Sequence, residues 1–226
     1  MGPPALPHPY GQKVTTTTLR RLDTPRSAAL AGVAFALLFS TSLGLLRSVT
    51  PEDPFVVASW AEDAGGRVRV ALSLMPFAGI SFLWFIGVVR DQLGALEDRF
   101  FASVFLGSGL LFLAMVFVSM AVAGALLAGV SAPRGAGYSP DTAAFARATM
   151  LQIGNVYALR MAAVFMMSLG TIWLRTGLMP RWLAVATYAL AAVLLFVISL
   201  SLWVALVFPA WVLAVSLLIL VRSRRR

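Results

Sequence analysis

Residues 182–221 read WLAVATYALAAVLLFVISLSLWVALVFPAWVLAVSLLILV, forty consecutive positions without a charge. An α-helix rises ~1.5 Å per residue, so about 20 apolar residues cross a hydrocarbon core of ~30 Å. A single crossing would leave half of this stretch outside the bilayer, whereas two crossings use all of it. The stretch therefore predicts a transmembrane hairpin with spans at about 182–200 and 204–221 and a very tight turn at 199–203. Pro209 then falls in the first turns of the second helix, where proline is tolerated.

Upstream lie four more apolar stretches, at about 27–46, 70–89, 101–128 and 153–174, the last with one charge, Arg160. Six spans make residues 27–222 an all-α, polytopic membrane helical bundle. Composition agrees: of 226 residues, 60% are hydrophobic and only 12% charged, and the mean hydropathy is +0.88. Soluble domains carry about 45–50% apolar and roughly 25% charged residues, and a chain of this size exposes too much surface to hide the excess. Soluble enzyme, nucleic-acid module and disordered chain are excluded together.

The net charge of +9 is read by position, because Lys and Arg concentrate on the cytoplasmic side of membrane spans. Lys13, Arg20, Arg21, Arg26, Arg90, Arg99, Arg175, Arg181, Arg222, Arg224, Arg225 and Arg226 fall on one side. Arg47, Arg67, Arg69, Arg134 and Arg147 fall on the other. Both termini are thus expected in the cytoplasm, which requires an even number of spans, and the protein is expected in a bacterial inner membrane as a multi-pass chain. Residues 1–26, with MGPPALP and four threonines at 15–18, read as a flexible cytosolic tail, and 223–226 as a short basic one. The first apolar stretch exceeds the ~7–15 residues of a signal-peptide core, so it is expected to be retained.

In the first outer loop, Thr50-Pro51-Glu52-Asp53 is a helix start and Gly65-Gly66 a stop. A short interfacial helix anchored by Trp60 is expected between them. Ser139-Pro140-Asp141 is a second start signal, so the fourth helix is expected to begin near Asp141, two or three turns outside the membrane. The cytoplasmic turn contains GALEDR (94–99), which is similar to the opening of the loop signature of major-facilitator transporters; the likeness ends at Phe100.

Helix 1 carries small residues at every fourth position, Ala28, Gly32, Ala36, Ser40 and Gly44, and helix 3 ends on a shorter set, Ala121, Ala125 and Gly129. Such a stripe lets another helix approach closely, either within the bundle or from a second copy of the chain. Arg160 is the one ionisable residue inside a predicted span, and no span supplies an acid to pair with it. Gln152 and Asn155 lie in the turns above it, while Met167, Ser168 and Thr171 continue its face. This group is a candidate contact for an anion or anionic lipid; alternatively Arg160 snorkels to headgroups and carbonyls.

Chemistry is otherwise thinly represented. There is no cysteine, so disulfides, thiolate metal sites and thiol nucleophiles are excluded. The single histidine, His8, lies in the tail. The acids Glu52, Asp53, Glu62 and Asp63 read as a solvated loop neutralised by Arg47, Arg67 and Arg69, with hard-cation binding the other reading. No catalytic residue, metal or cofactor is expected.

Two segments, PFAGISFLWFIGVVRDQLGALEDRFFASVFLGSGLLF (76–112) and MAAVFMMSLGTIWLRTGLMPRWLAVATYALAAVLL (161–195), resemble a family of six-span integral membrane proteins common in actinobacteria. The resemblance implies topology and host type and carries over no functional residue. The chain is expected to be a non-catalytic structural or interaction component of the cell envelope. The alternative is a small transporter or a lipid- or anion-binding protein centred on Arg160. Expected partners are the bilayer, anionic lipid, a second copy or a membrane-protein partner, and not nucleic acid.

Overall fold

A computed structural model describes residues 2, 24–49, 57–93, 99–130, 138–196 and 202–224. Among these, every regular element is helical. The elements are α1 (Thr24–Val49), α2 (Val57–Leu93), α3 (Arg99–Val130), α4 (Pro140–Gln152), a π segment (Ile153–Ala158), α5 (Leu159–Thr176), α6 (Arg181–Phe196) and α7 (Leu202–Arg224). Five helical runs are long and apolar enough to span a membrane, with α4, the π segment and α5 forming one 37-residue rod; α6 is apolar but shorter. The tail up to residue 23, the helix start at 50–53, most of the GALEDR turn and the hairpin turn at 199–201 lie outside the described residues, as does the side chain of Trp60.

Local signals explain several boundaries. The Ser139 side chain accepts from Thr142 N–H at 3.3 Å and Pro140 occupies the first helical turn, so α4 starts where the sequence placed it. Gly177, at φ 66°, ends α5 in the left-handed conformation that only glycine adopts cheaply, and its N–H reaches back to Trp173 O at 3.0 Å. Pro209 lies deeper in α7 than expected, as the eighth residue of the helix.

One expectation is corrected. Gly65-Gly66 does not stop a short interfacial helix; α2 runs through it without a break for 37 residues. Gly65 is buried near Leu127 of α3, so it serves helix packing. Glycine is a breaker chiefly where water competes for the backbone, and membrane helices use it for close approach.

The helices form two groups. In one, α1 packs along both α2 and α7; in the other, α3 packs along the α4–π–α5 rod and α5 along α6. Contact between the groups is thinner and runs mainly through α2 and α3. Ser42 Oγ donates to Ala71 O at 2.7 Å between α1 and α2, and Trp211 Nε1 donates to Thr187 Oγ1 at 2.9 Å between α7 and α6. Gly32 of α1 meets Ser216 of α7 while Phe35 meets Phe208, so these helices are antiparallel. The start of α1 and the end of α7 therefore share one end of the bundle. Arg222 Nη1 donates to Leu178 O at 2.9 Å, which puts the α5–α6 turn at that end too.

Phenylalanines join the two groups at mid-height. The ring centroids of Phe35 and Phe82 lie 4.7 Å apart, those of Phe112 and Phe208 4.7 Å, and those of Phe82 and Phe165 5.3 Å, in tilted or edge-on arrangements, with Phe39, Phe85, Phe105 and Trp211 around them. Lipid is as apolar as these rings, so the gain comes from dense contact and ring geometry, about 0.5–1.5 kcal/mol per good pair.

The small-residue stripe of α1 is used inside this chain. Ala28, Gly32 and Ala36 are buried, with Ser40 and Gly44 half-buried, and a Cβ on Gly32 would overlap Ser216 Oγ and come within 2.9 Å of Phe85. On α3, Ala121 and Ala125 are exposed, and only Gly129 packs closely, against Tyr138.

Candidate functional site

At the end of the bundle opposite the α5–α6 turn, the two groups of helices separate above the phenylalanines and leave a cavity. It offers about 40 Å³ to the centres of water molecules, and its unfilled space reaches about 520 Å³ when the open mouth is included. That is room for about three waters. Phe39 and Phe112 line its base, Leu43, Leu46, Val116, Met150 and Leu159 its walls, and Ala205 of α7 closes one side. Three polar side chains interrupt this apolar lining: Arg47 from the last turns of α1, Ser119 from α3, and Asn155 from the π segment.

The sequence positions these groups in different ways. Arg47 is carried by α1 beyond its apolar stretch and is half-buried. Arg147 of α4 is near enough for the two positive charges to oppose each other. Ser119 Oγ donates to Met150 O at 2.9 Å, tying α3 to the rod where the α ladder gives way to the π pattern. The backbones come close there: a Cβ on Gly154 would stand 2.9 Å from Ser119 Oγ. A π turn accommodates an extra residue and re-aims the side chains on it, and such turns concentrate at functional positions. Asn155 sits in this turn at 9% exposure, and its Nδ2 is shielded from solvent with no hydrogen-bond partner among the described residues.

Of the residues singled out from sequence, Asn155 enters the cavity. Gln152 is exposed, and Arg160, half-buried, is not part of the lining. The face below Arg160 is occupied elsewhere. Ser168 Oγ donates to Val164 O at 2.8 Å, Thr171 bonds Tyr188 of α6, and Met167 is exposed. Arg47, Arg147 and Ser119 were not selected by sequence reasoning. Arg47 and Arg147 count there as outer flanking charges, and nothing local signals that residues 100 apart converge.

No protein-family model, curated protein or solved structure matches the chain. What the cavity's geometry can do is hold a compact polar group: an amide and a guanidinium project into a pocket whose remaining walls favour hydrocarbon.

Arg160 can be tested independently of the cavity. Replacing it by Leu lengthens the apolar run and removes a half-buried charge with no hydrogen bond or ion pair among the described residues. The expected change in thermal stability in detergent lies within about 0.5 kcal/mol, or is slightly favourable. A loss above about 2 kcal/mol would show that Arg160 anchors the bundle. Arg160→Glu is expected to be harmful, since attraction to anionic lipid becomes repulsion.

Proposed function

We propose a six-crossing protein of the bacterial inner membrane, both termini cytoplasmic, that acts as a non-catalytic structural or interaction component of the cell envelope. The observation that carries this reading is the filled centre: Phe35, Phe82, Phe112, Phe165 and Phe208 meet where a solute pathway between the two ends would run. Transport of a polar solute usually leaves several ionisable or polar groups along such a path. Here Ser108 and Ser168, both buried, are satisfied by carbonyls of their own helices.

Five long apolar runs plus α6 support six crossings, and the antiparallel α1–α7 pair supports an even number. The twelve-to-five division of Lys and Arg supports cytoplasmic termini. The resemblance to actinobacterial six-span proteins implies the same topology. Large exposed apolar side chains on the perimeter, among them Phe77, Trp84 (66% exposed), Trp182 and Val185, suit lipid, a second copy or a membrane partner.

Topology is checked by introducing single cysteines and labelling them with an impermeant maleimide. Cysteines at Ala64 and Gly137 are expected to label from outside, and those at Leu96 and Gly177 only after the membrane is opened. Labelling of Ser201→Cys from the cytoplasmic side would overturn the six-crossing assignment. In reconstituted vesicles the protein should add no permeability to small ions or anionic dyes; a steady flux would overturn the non-conducting reading.

A further inference from the structure

We propose that the cavity binds an anionic phosphate-type group, delivered by a phospholipid that enters sideways between α1–α7 and the α4–π segment. The strongest mark is Asn155. A buried side-chain amide almost always has a bonding partner, and leaving one unpaired is unfavourable compared with an apolar residue of similar size. Asn155 lines the cavity, is itself nine-tenths buried, and its Nδ2 is shielded with no partner among the described residues. A hydrogen-bond acceptor inside the cavity would satisfy it.

Charge specifies the acceptor further. Arg47 lines the same cavity, and the charge of Arg147 adds to its field. Guanidinium groups pair well with phosphate oxygens. The walls then distinguish a lipid from a bare ion. Phe39, Leu43, Phe112, Val116 and Met120 offer a stripped ion no further bonds but offer an alkyl chain full contact. Access is from the bilayer, because α1 and α4 scarcely pack on each other and α5 and α7 touch only thinly.

The test is native mass spectrometry of the full chain from nanodiscs of phosphatidylcholine with or without phosphatidylglycerol. The wild type is expected to retain phosphatidylglycerol about tenfold over phosphatidylcholine. Asn155→Leu should lower that retention about tenfold with an unchanged or raised melting temperature, which separates loss of the site from loss of the fold. Arg160→Leu should retain it fully. Equal retention by Asn155→Leu, or of the two lipids by the wild type, would overturn the proposal and leave ordered water as the partner of Asn155. A separate arm adds inorganic phosphate to delipidated protein. If it stabilises the wild type but not Asn155→Leu as strongly as phosphatidylglycerol does, the lipid source is overturned in favour of a free anion.

Discussion

Phe208→Ala is expected to destabilise the detergent-solubilised protein by about 3–5 kcal/mol, the upper range for truncating a packed aromatic. Phe208 is fully buried and its ring meets five others: Phe35, Phe82, Phe112, Phe165 and Trp211. Those partners belong to α1, α2, α3, α5 and α7, so the ring joins both groups of helices where their backbones touch little. Deleting it opens a void that rigid neighbouring rings collapse into poorly. Unfolding titrations in mixed micelles would measure the loss. A change under about 1 kcal/mol would mean that the two groups are held together chiefly by α2 and α3. The same variant in vesicles asks whether the opened centre now leaks.

Gly32→Ala carries the second large effect. The added methyl group would overlap Ser216 Oγ and lie 2.9 Å from Phe85 Cδ2 and 3.1 Å from Ser216 Cβ. Rotating the serine hydroxyl relieves only the first of these, so α1 must move from α7 or α2, at about 1–3 kcal/mol. Ser216 is fully buried and its hydroxyl has no partner among the described residues, so it can be trimmed without loss of a bond. Gly32→Ala combined with Ser216→Gly should recover most of the stability, a coupling that a melting series of the four chains would show. Equal damage in single and double variants would place the stripe's close contact somewhere other than α7.

The features legible in the sequence are those set by local pattern. Uncharged length announced the long apolar helices, Ser139-Pro140-Asp141 announced the start of α4, and the four-residue spacing pointed to Gly32, where α1 meets α7. Gly65-Gly66 misled because a rule for helix ends in water was applied to a helix that continues at the membrane. IGNVYA (153–158) contains no proline and reads as continuous helix, and its π turn coincides with the close approach of Gly154 to Ser119, a tertiary condition. The candidate site was half legible for the same reason. Asn155 stood out as a polar residue in an apolar helix, whereas Arg47 and Arg147 acquire meaning only once the fold brings their charges near each other.

The pairing of α1 with α7 also sets a schedule for biosynthesis. The first span emerges from the ribosome well before the last, so the Gly32 groove is made empty and stays so while α2, α3, the α4–π–α5 rod and α6 are threaded. Until α7 arrives, lipid must line that groove and the partners of Phe208 face no ring. A chain released before residue 202 would therefore leave an inserted but unsealed bundle, with an interhelical docking face turned toward the bilayer.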